Sequence, residues 1–265
     1  MNANLYKLLA TGFYQGPKYI ESVLDRMAGE VMATSDMSYE VYEAYLNTLT
    51  AAKEKMIKYN TATYNFLLAY LHLQAGNICN KESDRYHHFG MAIDGFKTYI
   101  HNSRKSDESL YISYWKLADL LDRLNTPWPR IEELLLQAFQ VCPSRAESLR
   151  DIIVHYYNED NPRAAFVFSS YCSDYLYGKQ PKTDNKWYVD DSFYQWKVLY
   201  YHVPISLSIG KLVEAKQWYE KLITCIKRCP SSINTEEITR IKGYERYFNI
   251  QKQASSHSPL EVIIS

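Results

Sequence analysis

The side chains that could do chemistry are a few histidines, cysteines, carboxylates and arginines, and their spacing limits what that chemistry is. His87 and His88 are adjacent, and His101 lies further along. Neighbours on a helix point about 100° apart, so the pair does not ligate one ion without distortion. No H-E-x-x-H pattern accompanies them, and both are expected on a helix surface. Cys225 and Cys229 share a helix face or its end, but no histidine pair lies near to complete a zinc site. His155 and His202 stand beside tyrosines and Cys172 offers a thiol, yet no spacing brings the three together, so packing in the core or a groove wall is expected. Asp119/Asp122 and Asp190/Asp191 would do acid–base work only if their surroundings drove their pKa values apart. No metal, no cofactor and no catalytic residue is expected, and the chain reads as a non-enzyme.

Arg145 and Glu147 allow two accounts. In one, Arg145 holds a carbonyl or carboxylate at a helix start and Glu147 complements the helix dipole. In the other, Glu147 and Arg150 grip a ligand at the mouth of a groove.

The elements that must position these residues are helical. The chain has 265 residues, 46% hydrophobic, with only 9 Gly and 9 Pro, which is too few for a loop-rich all-β fold. Its apolar period is that of a helix almost throughout: Leu5–Phe13, Tyr19–Ala33, Tyr39–Tyr59, Ala62–Ala75, Arg85–His101, Asp107–Leu124, Pro129–Val141, Arg145–Asn158, Pro162–Tyr177, Asp191–Ile209, Leu212–Arg228 and Thr235–Gln253. Stops stand at Gly76, Asn125, Gly178 and Gly210. The 30 basic and 30 acidic residues cancel, which argues against nucleic acid as a partner. No run approaches the roughly 18 apolar residues of a membrane span. Met1–Lys7 lacks the features of a signal peptide, and an odd set of 5 cysteines suits free thiols, so a cytoplasmic location is expected.

An internal spacing organises the helices. From Ala146, a large residue (Leu149) is followed by Ile152 and Ile153, then Tyr156, a turn, and a small residue, Ala165. That is the spacing of a tetratricopeptide-type helix hairpin, in which the small residue admits the partner helix closely. Tyr114–Leu121 with Gln137–Pro143, and Leu199–Val203 with Leu212–Leu222, repeat it approximately, and Tyr64–Tyr99 reads as an irregular hairpin with a long connector, Gly76–Asp84. The expected fold is all-α: a tetratricopeptide-like α-solenoid of stacked antiparallel hairpins, about twelve helices in all. Residues 1–60 would form an N-terminal helical cap, 61–252 the repeat array and 253–265 a C-terminal tail. First helices would line a concave groove with Trp115, Asp119 and Arg123 in one unit. Glu147, Arg150, Tyr157 and Asn158 follow in the next, then Lys197 and Tyr200. Such a mixed groove suits a peptide or a polar small molecule, and a protein or peptide partner is the first expectation. The insert Gly178–Asp191 breaks the period; loops of that length inside a compact array are often functional, but the expectation here is a lid whose Trp187 caps the core.

Several motifs carry a resemblance. Pro127-Trp128, Leu135–Phe139, Cys142-Pro-Ser-Arg-Ala-Glu-Ser-Leu149, Val189-Asp190-Asp191-Ser-Phe-Tyr194-Gln-Trp196 and Ser208–Ala215 resemble the tetratricopeptide region fused to family 2 glycosyltransferases, over about Tyr111–Cys225. The chain departs from that pattern at Ser148, at Tyr200-Tyr201 and at Pro204, which should kink its helix. Residues 1–110 hold neither the strands of a nucleotide-sugar fold nor an Asp-x-Asp at a strand end. The resemblance therefore implies an accessory scaffold whose partner is a glycosyltransferase or another glycan-assembly protein. Two other readings stand beside it: a glycan or nucleotide-sugar binding subunit or divergent transferase, and a self-assembling homo-oligomer.

Overall fold

The computed structural model describes residues 24, 26–29, 31, 37–51, 61–103, 107–179, 181, 188–228 and 233–248. Among them every regular element is a helix, as the apolar period requires. The expected helix Leu5–Phe13, most of Tyr19–Ala33, the centre of the insert, Cys229 and the tail 253–265 lie outside the described residues. The chain divides into two compact units, one ending at Pro143 and the other beginning at Ser144. That division falls inside the stretch 61–252 that the sequence treats as one array.

The first unit contains α1 (Tyr39–Ala51), α2 (Thr61–Ile78), α3 (Glu82–Asn102), α4 (Glu108–Arg123) and α5 (Trp128–Val141), each packed on its neighbour in sequence. α2 is apolar on all sides and buries Phe66, Leu67, Ala69, Leu71 and Leu73 between α1 and α3. Its contact with α3 is close because small residues meet there: a Cβ on Gly95 would lie 2.7 Å from that of Ala69. Gly76 is not a stop. α2 runs past it to Ile78, and the glycine instead makes room for Phe89, which an added Cβ would approach to 2.6 Å. The connector of this hairpin is accordingly short, because α3 begins at Glu82. Asp107 caps α4 by accepting from the Leu110 amide at 3.0 Å.

In the second unit, α6 (Glu147–Asn158) turns into α7 (Pro162–Tyr171), which runs on as a π-helical turn at Cys172–Leu176. A second π turn, Phe193–Lys197, leads into α8 (Val198–Ser208), followed by α9 (Leu212–Arg228) and α10 (Thr235–Gly243). α7 packs on α6 and α8, and α8 packs on α6 and α9. Pro204 sits inside α8, which continues through it. Asn161 caps α7 with Pro162 at its first position, and Asn234 and Glu237 form a capping box on α10, the chemistry that satisfies orphan N–H groups at a helix start.

Among the described residues, three tight turns share one geometry. Asn125, Asp160 and Gly210 are left-handed, with φ of 55, 52 and 80°. The following amide reaches back in each case: Thr126 to the Leu121 carbonyl, Asn161 to Tyr156 and Lys211 to Ser206, at 2.9 to 3.0 Å. This is how a helix ends when its last carbonyls must be satisfied before an immediate reversal. The expected stops at Asn125, Gly178 and Gly210 coincide with left-handed residues.

Candidate functional site

The expected site residues of the second unit fall into two clusters, both anchored by the start of α6. Arg145 and Glu147 have no exposed surface, and the guanidinium Nε donates to Glu147 Oε2 at 2.8 Å. The Tyr194 hydroxyl donates to the same carboxylate at 3.2 Å and accepts from the Ala146 amide at 2.7 Å. Burial, and then the Glu147 charge, hold the Tyr194 hydroxyl far above its ordinary pKa. Glu147 Oε1 accepts from the Asp190 amide at 3.2 Å. This buried network ties the returning end of the insert and the second π turn to α6. Glu147 therefore offers nothing to a groove, and the structural account of Arg145 holding a carboxylate at a helix start is the one observed.

Asp190 is the centre of the first cluster. It accepts from Ser192 and from the Phe193 amide, which starts the next helix. Arg150 Nη1 reaches its Oδ2 at 3.2 Å and Lys197 Nζ lies 3.5 Å from the same oxygen. Arg150 also forks onto Asp151 at 2.8 and 3.0 Å. Burial opposes ionisation of both groups, but Ser192, Lys197 and Arg150 hold the Asp190 carboxyl below its usual range. Asp151 and Asp190 likewise keep Arg150 above its ordinary value despite burial.

The second cluster gathers around a residue the sequence did not single out. Arg240 of α10 donates to the hydroxyls of Tyr157 on α6 and Tyr200 on α8, the latter at 2.9 Å, and to Tyr244 at 3.2 Å. Tyr201 stands edge-on to both Tyr157 and Tyr200, with centroids 5.9 and 5.4 Å away. The i, i+4 spacing of Arg240 and Tyr244 was a visible signal. The partners from α6 and α8 are far away in sequence and were not.

In the first unit, Trp115 is buried, with the Lys116 ammonium 3.7 Å above its ring. Asp119 and Arg123 form a two-bond fork at 2.8 and 3.2 Å, and Arg123 also donates to Asn77 at 2.8 Å. Asn158 is exposed at the end of α6. A surface cleft of about 540 Å³ is lined by other residues, Tyr177, Lys221, Cys225 and Arg228 among them.

Of the adjacent histidines, one is buried more deeply than expected. His87 is exposed, but His88 is buried, its Nδ1 2.9 Å from Nδ1 of His72 and its Nε2 3.0 Å from the Tyr39 hydroxyl. Its partner lies on the facing helix, which a reading of α3 alone does not see. His202 has Ser169 Oγ 3.0 Å from Nδ1 and Glu214 Oε1 3.3 Å from Nε2. These are the spacings of a nucleophile–base–carboxylate triad. Yet His202 and Ser169 are wholly buried, and the imidazole lies between Phe166 and Trp218. Burial outweighs Glu214 and lowers the His202 pKa, so the ring is held neutral. In this arrangement each buried ring nitrogen has a polar partner.

Among the described residues no group of three or more His, Cys, Asp and Glu is placed to hold a metal ion, and no helix is long and apolar enough to cross a membrane. No protein-family model matches the chain, and no curated protein is significantly similar to it.

Proposed function

We propose that this chain is a non-catalytic, tetratricopeptide-like interaction module whose first helices present a groove to a protein or peptide partner. The observation that carries the reading is the convergence of Arg150, Tyr157, Lys197 and Tyr200, all expected in that groove, onto Asp190 and Arg240. The repeated turns support the hairpin register: Asn125 and Asp160 stand roughly 35 residues apart, near the ~34 of a tetratricopeptide unit. The wider step to Gly210 contains the insert. Tyrosines hydrogen-bonded at their tips and packed edge to face suit a surface that binds a polypeptide, because they offer large contact area at small entropic cost. By its resemblance the partner is a glycosyltransferase or another glycan-assembly protein in the cytoplasm.

The test is affinity capture with the full chain, wild type beside an Arg150→Ala/Tyr157→Ala double variant, followed by mass spectrometry. Loss of a reproducible partner from the variant is expected. An unchanged set of captured proteins overturns the reading. A thermal-shift series with nucleotide sugars addresses the glycan-binding alternative, and protection there would replace the peptide partner with a small ligand.

A further inference from the structure

Three helices bring four side chains together at Arg240, and their hydrogen bonds leave a surplus of donors. A guanidinium has five N–H groups and no acceptor. Arg240 spends Nε, Nη1 and Nη2 once each, on Tyr244, Tyr200 and Tyr157. Each hydroxyl, having accepted from the cation, still carries its own proton to give. Among the described residues none of these three O–H groups has an acceptor.

Charge points the same way. Arg150 and Lys197 are matched by Asp151 and Asp190, whereas Arg240 is exposed and meets phenols in place of a carboxylate. Glu237, on the same helix, is engaged in the capping box with Asn234. The face therefore presents a cation that no carboxylate pairs with among the described residues, ringed by donors that the cation polarises. Such a cluster recognises an oxyanion, since charge-assisted hydrogen bonds are about twice as strong as neutral ones.

We propose that the Arg240–Tyr157–Tyr200–Tyr244 cluster binds the carboxylate side chain of an acidic peptide segment. The inference rests on the peptide-binding reading above and gives it a chemistry. Fixed by three phenols, the guanidinium is pre-organised, so little side-chain freedom remains to be lost on binding. A carboxylate has about four acceptor sites for the donors on offer, and its charge gives Arg240 the anionic partner that its phenols do not supply.

The experiment uses the full chain and three probes: octaglutamate, octaglutamine and inorganic phosphate, each titrated by calorimetry at low salt. Octaglutamate is expected to bind and octaglutamine not to. Arg240→Gln should weaken octaglutamate by about tenfold or more, with Arg240→Lys intermediate because it keeps charge and loses the fork. Tyr200→Phe, which keeps the ring, guards against a fold effect and should weaken binding with an unchanged circular dichroism spectrum. Equal binding of the two peptides, tighter binding of phosphate at the same residues, or indifference to Arg240→Gln and Tyr200→Phe overturns the carboxylate assignment. If octaglutamate fails while Arg150→Ala/Tyr157→Ala still loses its captured partner, the carboxylate inference falls and the interaction reading stands. If that double variant loses nothing, the parent reading falls.

Discussion

At the scale of single residues, the Arg145–Glu147 pair matters more for the shape of the second unit than any exposed charge. Both groups are taken wholly from water, and a buried pair tolerates the loss of one member poorly because the other is left as an uncompensated charge. Glu147→Gln is expected to lower stability by roughly 3–5 kcal/mol, measured by urea unfolding. Adding Arg145→Met should recover much of that loss, since the remaining glutamine can keep its carbonyl oxygen on the Asp190 amide and turn its NH2 as a donor toward the Tyr194 hydroxyl, where the native carboxylate accepts from each at 3.2 Å. A double variant as unstable as the single would mean that the hydrogen bonds, not the charge pair, carry the effect. The helix-start role of Arg145 was legible from its place before Glu147. That Glu147 is sealed from solvent was not: Tyr194 and Asp190, which cover it, are more than forty residues downstream. The same blindness hid His72 from a reading of His88. Residue types announce what a side chain can do, but its surroundings come from a facing helix whose register the local pattern does not contain.

Helices were the most legible level. Expected starts at Asp107, Pro162, Leu212 and Thr235 lie at or next to observed ones, because caps, prolines and apolar period all act within a few residues. Glycine was the ambiguous letter. Gly178 and Gly210 adopt left-handed backbone as helix stops should, whereas Gly76 and Gly95 are helical and serve close approach of α2 and α3. Two substitutions on one helix separate a glycine that close approach requires from one that it does not. Gly95→Ala would place its Cβ 2.7 Å from Ala69 Cβ and 3.1 Å from Ala69 Cα, and since backbone cannot yield cheaply, it should destabilise by about 1–3 kcal/mol through overpacking. Gly90→Ala meets nothing within 4 Å and should instead stabilise by roughly 0.5–1 kcal/mol, the helix-propensity gain. Thermal melts of the two variants must therefore move in opposite directions. A shared direction would show that the α2–α3 approach is looser than its contacts.

The molecule as a whole buries neutral histidine in both of its units, which gives its stability a direction in pH. In the first unit His72 is brought down to about 4, by burial first and then by His88 and His87, and burial also lowers His88. In the second, His202 is lowered by burial against the opposing pull of Glu214. An unfolded histidine titrates near 6.5, so between that value and about 4 the unfolded chain binds more protons than the folded one. Stability then rises with pH across the window: it is complete above about pH 6.5 and drains away as the pH falls toward 4. For His72 alone the shift corresponds to roughly 3 kcal/mol. Burial is the larger cause, and the His72–His88 contact adds to it, where facing Nδ1 atoms 2.9 Å apart share one proton. A second would set two N–H groups against each other without an acceptor. Asp190, held below its usual carboxylate range, contributes only at lower pH, so the two effects separate. Urea midpoints taken from pH 7.5 down to 4.5 should fall steadily for the wild type. His72→Asn, whose amide stands in for the Nδ1 side of the ring and cannot titrate, should flatten that fall even if it lowers the midpoint at pH 7.5. Parallel curves for the two proteins would place the proton uptake somewhere other than this pair.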